Sequence, residues 1–569
     1  MNKKFNECKV HEITDIQDML KQAVRLHGSK AAMEDLTSTP ISSGSYEHLL
    51  RYVIQFGSAL QNLGLKERSH IAVIGENRVQ WAITYLTALC FNYIIVPIDK
   101  NLTVNEIENI LFESESECIV FSSSYRSMMK DASLVLKKLR MFIDMDLAQE
   151  QDGFYSMQAL MQSSPQIGES DFPKINPNEV AEIIFTSGSL GRAKAVMLSQ
   201  RNLAINLMNM RKCLEIFPSD KFLSVLPMHH TYECTCGLLC PLYSGASIHY
   251  ARSLKTISED MSTVKPSIVL GVPLLYEKMF KRIYKAIEQD KVKSLIMKPL
   301  IGITDLLTTI GWRNAKQKVF KELHNKFGGN IRIFIVGGAA PDAEVAKGLR
   351  SFGFSFIQGY GLTETSPILA LNRIDAFRDA AAGIPLPGIE IRIDSPDENG
   401  VGEIFARGGS VMLGYYKNAE LTASVMEDAF FKTGDLGYID DDGFLRISGR
   451  KKNVIITPNG KNVFPEEIED YLSKCPFILE SMVYSGKTQN QKDVIAALIY
   501  PDPEAFIELS EKTGEKITPH LIEKTIGDAI QEINKELSSF KKIQKFDIRE
   551  KEFEKTTTQK IKRYKVSID

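Results

Sequence analysis

The stretch best equipped for chemistry is Ile183-Ile184-Phe185-Thr186-Ser187-Gly188-Ser189-Leu190-Gly191-Arg192-Ala193-Lys194. Its glycines let backbone amides approach an anion. The Thr186, Ser187 and Ser189 hydroxyls and the Lys194 ammonium can hydrogen-bond to the same anion. The apolar run ahead of it reads as a buried strand. Leu198-Ser199-Gln200 behind it reads as the start of a helix with Ser199 as cap. Strand, glycine loop and helix predict a phosphate cradle. It departs from the common P-loop, which needs Gly-Lys-Ser/Thr, because Gly191 leads into Arg192-Ala193-Lys194-Ala195. Small residues alone also make a flexible surface loop, so the choice rests on what lies further along.

Gln358-Gly359-Tyr360-Gly361-Leu362-Thr363-Glu364-Thr365 is more specific. Gly359 and Gly361 free Tyr360 to lie against a base, Thr363 offers a hydroxyl, and Glu364 is a hard oxygen ligand suited to Mg2+. Thr433-Gly434-Asp435 places on a turn a carboxylate that two ribose hydroxyls can share; a capped turn is the plainer reading. Gly337-Gly338-Ala339-Ala340-Pro341 closes a predicted strand, where open α/β sheets bind ligands, or is an ordinary tight turn. Met228-His229-His230-Thr231-Tyr232-Glu233 suggests a metal, but zinc needs four convergent groups and adjacent histidines do not readily converge. A structural histidine pair or a ligand-side role remains.

These segments, in their order along the chain, resemble the adenylate-forming enzymes, whose signature loop reads Thr-Ser-Gly-Thr-Thr-Gly-x-Pro-Lys-Gly. Thr186, Ser187, Gly188, Gly191 and Lys194 match it, while Leu190, Ala193 and Ala195 depart from it. The resemblance implies that Thr186, Ser187, Gly188, Ser189, Gly191 and Lys194 hold phosphates, and that Gly338 borders the adenine and the acyl group. It implies a nucleotide site at Gly359, Tyr360 and Gly361, with the tyrosine stacking on adenine and Thr363 on phosphate. Glu364 would hold Mg2+, shared by Thr186. His230 would line the carboxylate substrate, Asp435 the ribose, and Arg450 ribose or phosphate. In Ser448-Gly449-Arg450-Lys451-Lys452-Asn453, Lys452 best matches the family hinge. In Thr556-Thr557-Thr558-Gln559-Lys560-Ile561, Lys560 matches the catalytic lysine although Gln559 replaces a glycine; otherwise such a charge run is a solvated face.

These residues need a scaffold, and 569 residues exceed what one core usually supports. A composition of 44% hydrophobic and 25% charged residues is that of a globular chain. The net charge of −2 exerts no general pull on nucleic acid. Eight scattered cysteines without a CxxC pair suit a reducing cytoplasm, and Met1–Glu7 shows no secretory core. Alternating helices and strands (Tyr46–Leu63, Ile71–Ile74, Ile94–Pro97, Thr103–Phe112, Cys118–Phe121, then Lys221–Leu226, Ser267–Leu270 and Ile331–Val336) predict doubly wound parallel sheets. After Gly383 short strands suggest a small β-barrel-like unit. A lysine- and glutamate-rich α+β domain follows, so the expected division is 1–449 and 450–569.

The resulting expectation is an α/β enzyme that activates a carboxylate with ATP and Mg2+ and passes the acyl group to coenzyme A. Val272-Pro273-Leu274-Leu275-Tyr276-Glu277-Lys278 and a helical insertion from about Phe280 to Phe327 resemble the long-chain fatty acyl-CoA synthetases. Medium-chain acids, or a carrier protein as acceptor, are the alternatives. The stretch Leu295–Ile303 reads as core plus a solvated lysine face, with peripheral membrane contact as the alternative, and a homodimer is left open.

Overall fold

The computed structural model describes residues 7–37, 39–164, 168, 172–186, 194–312, 314–457, 461–487, 493–556 and 560–566, with backbone only at 291–294. The chain divides into two compact units, Met1–Glu390 with Ala406–Phe431, and Ile391–Phe405 with Lys432–Asp569.

The first unit holds two large sheets. One runs Gly414–Tyr415, Lys194–Ser199, Val180–Thr186, Ile94–Pro97, His70–Ile74, Cys118–Phe121, Met141–Asp144, Tyr155–Ser156. The other runs Ile384–Pro385, Ile368–Leu371, Ser355–Gly361, Ile333–Val336, Ile268–Gly271, Lys221–Ser224, Ser247–Tyr250, Ala31–Asp35, Ser43–Ser45. Their central strands are parallel, whereas Lys194–Ser199 and Ile368–Leu371 join antiparallel. Ile94–Pro97, Cys118–Phe121 and Ile333–Val336 are buried at every position, as parallel strands covered on both faces must be. The helix Val79–Cys90 is buried all round, and its Trp81 and Tyr85 rings stack. Helix starts follow local chemistry. Ser45 with His48 caps Tyr46–Asn62, and Thr103 with Glu106 caps Val104–Glu113, reciprocal bonds that satisfy the first free amides.

The insertion forms the helices Pro273–Glu288, Lys291–Thr309, Ala315–Val319 and Lys321–Lys326. Met297, Leu300 and Ile301 pack against a cluster that includes Tyr276, Phe320 and Phe352.

In the second unit, Phe430–Ile439 pairs antiparallel with Leu445–Arg450. Ile478–Lys487, Asp493–Pro501 and Lys545–Ile548 form a three-stranded sheet packed with the helices Pro465–Ser473 and Pro519–Glu536. Among the described residues no helix is long and apolar enough to cross a membrane.

Candidate active site

Of the signature stretch, Ser187, Gly188, Ser189 and Gly191 lie outside the described residues. Thr186 and Lys194 are described. They are register partners on antiparallel strands, and the Thr186 hydroxyl donates to the Lys194 carbonyl at 3.3 Å. A second strand, Lys194–Ser199, therefore precedes the expected helix, which begins at Gln200 with Ser199 and Asn202 forming its capping box. The apolar run Ala195–Leu198 fills a sheet position, bordered by Gly414–Tyr415, in preference to a helical turn.

That border brings in a residue the sequence reading missed. The Tyr415 hydroxyl donates to Glu364 Oε1 at 2.9 Å, and Lys194 Nζ stands 5.1 Å from the Tyr415 ring. Burial first, then the Glu364 carboxylate, push the Tyr415 phenol far above its ordinary value, so it remains a donor. The Met412 amide donates to the Glu364 carbonyl at 2.8 Å, which fixes the backbone behind the carboxylate. The one sequence signal was an aromatic pair after a glycine, Gly414-Tyr415-Tyr416.

Gly359, Tyr360 and Gly361 end the strand Ser355–Gly361 and pair with Leu371, Ala370 and Ile368. A Cβ on Gly361 would collide with the Pro367 carbonyl, so only glycine fits there. Tyr360 is half-buried. Gly338, exposed just past the neighbouring strand, has φ +85. Thr363 and Glu364 follow on a single tight turn. The Thr231 hydroxyl lies 3.3 Å from the Thr363 hydroxyl, which ties the histidine segment to this turn.

His229 and His230 occupy a turn that brings their rings to 4.3 Å, tilted at 41°. Asp99 joins them, so ligand atoms of all three lie within 4.8 Å of one another. Adjacent histidines thus converge here because the backbone turns at them. His229 Nε2 is 3.5 Å from Asp99 Oδ2, an ion-pair distance too long for a good hydrogen bond. Burial alone would raise the Asp99 carboxyl; His229 overrides it and holds the group down at about 2.

Behind these residues lies an apolar cavity of about 30 Å3, lined by Met210, Tyr232, Cys236, Gly359, Ile368 and Leu371 among others. The Tyr232 hydroxyl donates to the Ile335 carbonyl at 3.2 Å and fixes one wall. Two buried carboxyls stand in the surrounding core. Glu233 accepts from Ser224 at 2.5 Å and Glu182 from Tyr85 at 3.2 Å, and each has its other oxygen without a partner. Burial raises both to about 8, so at neutral pH they are mostly protonated. No motif announced them.

The second unit carries the remaining candidates. Asp435 sits within the strand Phe430–Ile439 and not on the expected turn, directly opposite Arg450. Arg450 Nε meets Asp435 Oδ1 at 2.8 Å, and the Asp435 amide donates to the Thr433 hydroxyl at 3.1 Å. Lys451 pairs with Glu403 at 2.6 Å, while Lys452 is exposed beside it. Lys560 is tied to Thr556: the Thr556 amide donates to its carbonyl at 2.7 Å, and its own amide donates to the Thr556 hydroxyl at 3.1 Å. Ion pairs anchor both legs, Lys555 to Glu480 and Arg563 to Glu469. Lys560 keeps solvent-accessible surface, yet protein crowds its ammonium. That desolvation first, then Arg450 and Lys452 against the pull of Asp435, lowers it to about 8.

The donor sets suit a nucleotide and a hard cation. Hydroxyl and carboxylate oxygens at Thr186 and Glu364 are the ligands Mg2+ prefers, and cations beside a buried carboxylate suit phosphate and ribose.

Residues 20–416 match the family described as AMP-binding enzyme, and residues 452–568 match the AMP-binding enzyme C-terminal domain. The chain is 28% identical over 542 residues to the long-chain-fatty-acid–CoA ligase FadD15 of Mycobacterium bovis, covering 89% of this chain and 87% of that one. It is 26% identical over 587 residues to the chloroplastic long-chain-fatty-acid–[acyl-carrier-protein] ligase AEE15 of Arabidopsis thaliana, covering 89% and 79%. Among solved structures, the anthranilate CoA ligase AuaEII in complex with anthranoyl-AMP superposes with a TM-score of 0.76 at 20% identity, covering 97% and 96%.

Proposed function

The chain belongs to the AMP-binding enzyme family, and from that premise we propose that it is an AMP-forming long-chain fatty acid–CoA ligase. A fatty carboxylate attacks the α-phosphorus of ATP, giving an acyl-adenylate and pyrophosphate. The thiol of coenzyme A then takes the acyl group and releases AMP. Catalysis of the first step is positioning and charge neutralisation. Lys560 supplies the cation between phosphate and carboxylate, and Lys194 and Thr363, with Ser187, Gly188, Ser189 and Gly191, hold phosphate oxygens. Tyr360 stacks on the base between Gly359 and Gly361, beside Gly338. Asp435 accepts from the ribose hydroxyls, with Arg450 alongside. His230 lines the carboxylate. Thr186 and Glu364 would hold Mg2+, which neutralises polyphosphate charge when bound, and Tyr415 orients Glu364. Residues 450–569 act as a domain that turns at Lys452 between the two steps. The protein acts in the cytoplasm, which its eight free cysteines favour, with peripheral membrane contact.

The observation that carries most of the reading is the cluster of Asp435, Arg450 and Lys560, remote in sequence yet electrostatically coupled. The apolar cavity supports a hydrocarbon substrate. At about 30 Å3 it admits only on the order of two waters, so an acyl chain enters by displacing the flexible Met210 side chain.

The test is acid-dependent ATP–pyrophosphate exchange over a ladder of carboxylic acids, wild type beside Lys560→Ala. A maximum at long chains with a deep loss in the variant is expected; exchange indifferent to Lys560 or to the acid would overturn the reading. The resemblance to an acyl-carrier-protein ligase supports a second acceptor, and comparing acyl release to coenzyme A and to a holo-carrier protein decides between them.

A further inference from the structure

The helix Lys291–Thr309 is apolar on two opposite sides. At 3.6 residues per turn, Met297, Leu300, Thr304 and Ile301 share an arc of about 100°, and this arc packs inward or is buried. Leu295, Ile296, Ile303 and Leu306, continued by Ile310, share the opposite arc of about 100°. Leu295 is 79% exposed, Leu306 63% and Ile310 71%. Gly302 on that side has no neighbour that a Cβ would meet. A helix apolar on both sides needs a second apolar environment. Isolated exposed leucines are ordinary, but a continuous stripe of them marks an interaction surface.

Charge decides what that environment is. Residues 281–321 carry ten lysines and arginines against three acids, a formal +7 inside a chain of net −2. Lys281, Arg282, Lys298 and Lys318 are all exposed, and Lys318 Nζ stands 5.5 Å from the ring of Trp312, itself 49% exposed at the end of the stripe. A second copy would bring like charges together, which disfavours self-association through this face.

We propose that this face docks on an anionic phospholipid bilayer, an inference that rests on the peripheral membrane contact proposed above and gives it a surface and a lipid charge. The helix lies flat in the interface, its stripe in the acyl boundary, Trp312 at headgroup depth and the lysines on phosphates. At 19 residues it is about 28 Å long, and its lysines and Asp305 suit lying on the surface. The surface is independent of the residues assigned to catalysis.

The experiment sediments the full chain with vesicles of phosphatidylcholine alone or with about one third phosphatidylglycerol. The expected result is binding at least ~10-fold stronger to the anionic vesicles. Trp312 fluorescence should shift to the blue, the other tryptophan, Trp81, being buried. The double substitution Leu295→Glu, Leu306→Glu should abolish binding, and Lys298→Glu should weaken it. Pyrophosphate exchange with a short, soluble acid and the melting temperature should stay unchanged, since both leucines are exposed. Equal binding by wild type and double variant would overturn the proposal, as would no preference for anionic lipid. So would sedimentation without vesicles that reveals a dimer broken by the same leucine changes.

Discussion

The turn carrying Thr363 and Glu364 in the first unit and the loop carrying Lys560 in the second hold their polar groups by different physics. The first is fixed by hydroxyls and backbone: the Tyr415 hydroxyl on the Glu364 carboxylate, Thr231 against Thr363, and the Met412 amide on the Glu364 carbonyl. The core near it contains the protonated carboxyls of Glu182 and Glu233, with the Asp99–His229 pair beside them. The second is fixed by charges: Lys555 on Glu480, Arg563 on Glu469, and Arg450 on Asp435. A network of hydroxyls and backbone groups loses a directional hydrogen bond when any member moves. The ion pairs of the second unit hold carboxylates that are mostly buried, 6% exposed at Asp435 and 7% at Glu480, so removing one partner strands a charge. Hydroxyl and backbone contacts thus hold the first unit's turn and ion pairs the second unit's loop, where the proposed reaction would use the charge of Lys560.

The severest way to break this comparison is Lys560→Ala. Pyrophosphate exchange should fall at least ~10²-fold, with nucleotide binding, followed by fluorescence titration, falling much less. An equal fall in both would make the lysine a binding group only. Its pH dependence sharpens the point. With the ammonium at about 8, the lysine is a cation below that value and neutral above it, so kcat/KM for the first step should decline as pH rises through about 8.

The buried carboxyls invite a stability test with the opposite element in view. Glu182 and Glu233 titrate near 8 when folded and near 4.5 when unfolded. The folded state therefore binds more protons, and stability should drop as pH rises from 4.5 to 8. The slope is up to about 1.4 kcal/mol per pH unit for each group. In Glu233→Gln its share of that slope should vanish in urea unfolding at pH 6 and 8; an unchanged slope would mean the carboxyl is ionised in the core.

Tyr415→Phe removes one hydrogen bond to a carboxylate, so exchange at limiting Mg2+ should fall about 10-fold, with recovery at higher Mg2+ if the tyrosine orients the ligand. The smallest effect concerns the cavity. Met210→Ala should shift the preferred acid toward longer or bulkier chains by a few-fold in kcat/KM, roughly 1 kcal/mol per methylene-sized change. An unchanged ladder would place the acyl chain elsewhere.

Much of this was legible from residue types. Periodicity placed Tyr46–Asn62, His70–Ile74, Ile94–Pro97, Val104–Glu113 and Cys118–Phe121 within a few residues, because long amphipathic or fully apolar runs have few alternatives. Lys194–Ser199 was read past because a short apolar run after glycines suits a strand or a helix start equally. Its partner Gly414–Tyr415 lies more than two hundred residues away. Asp435 reads as a turn residue beside Gly434, yet cross-strand pairing to Arg450 draws it into a strand.

Sequence by itself determined the chemistry on offer: which hydroxyls, carboxylates and lysines exist, and the strand and helix periods that carry them. Tertiary structure decided their states. Only folding places Tyr415 on Glu364, joins Asp99 to a histidine pair, and removes enough water around Glu182 and Glu233 to keep them protonated. Only folding turns one apolar side of Lys291–Thr309 to the core and leaves its twin outside. The reason is that burial and long-range pairing are properties of surfaces brought together, and a sequence pattern records only what each surface contains.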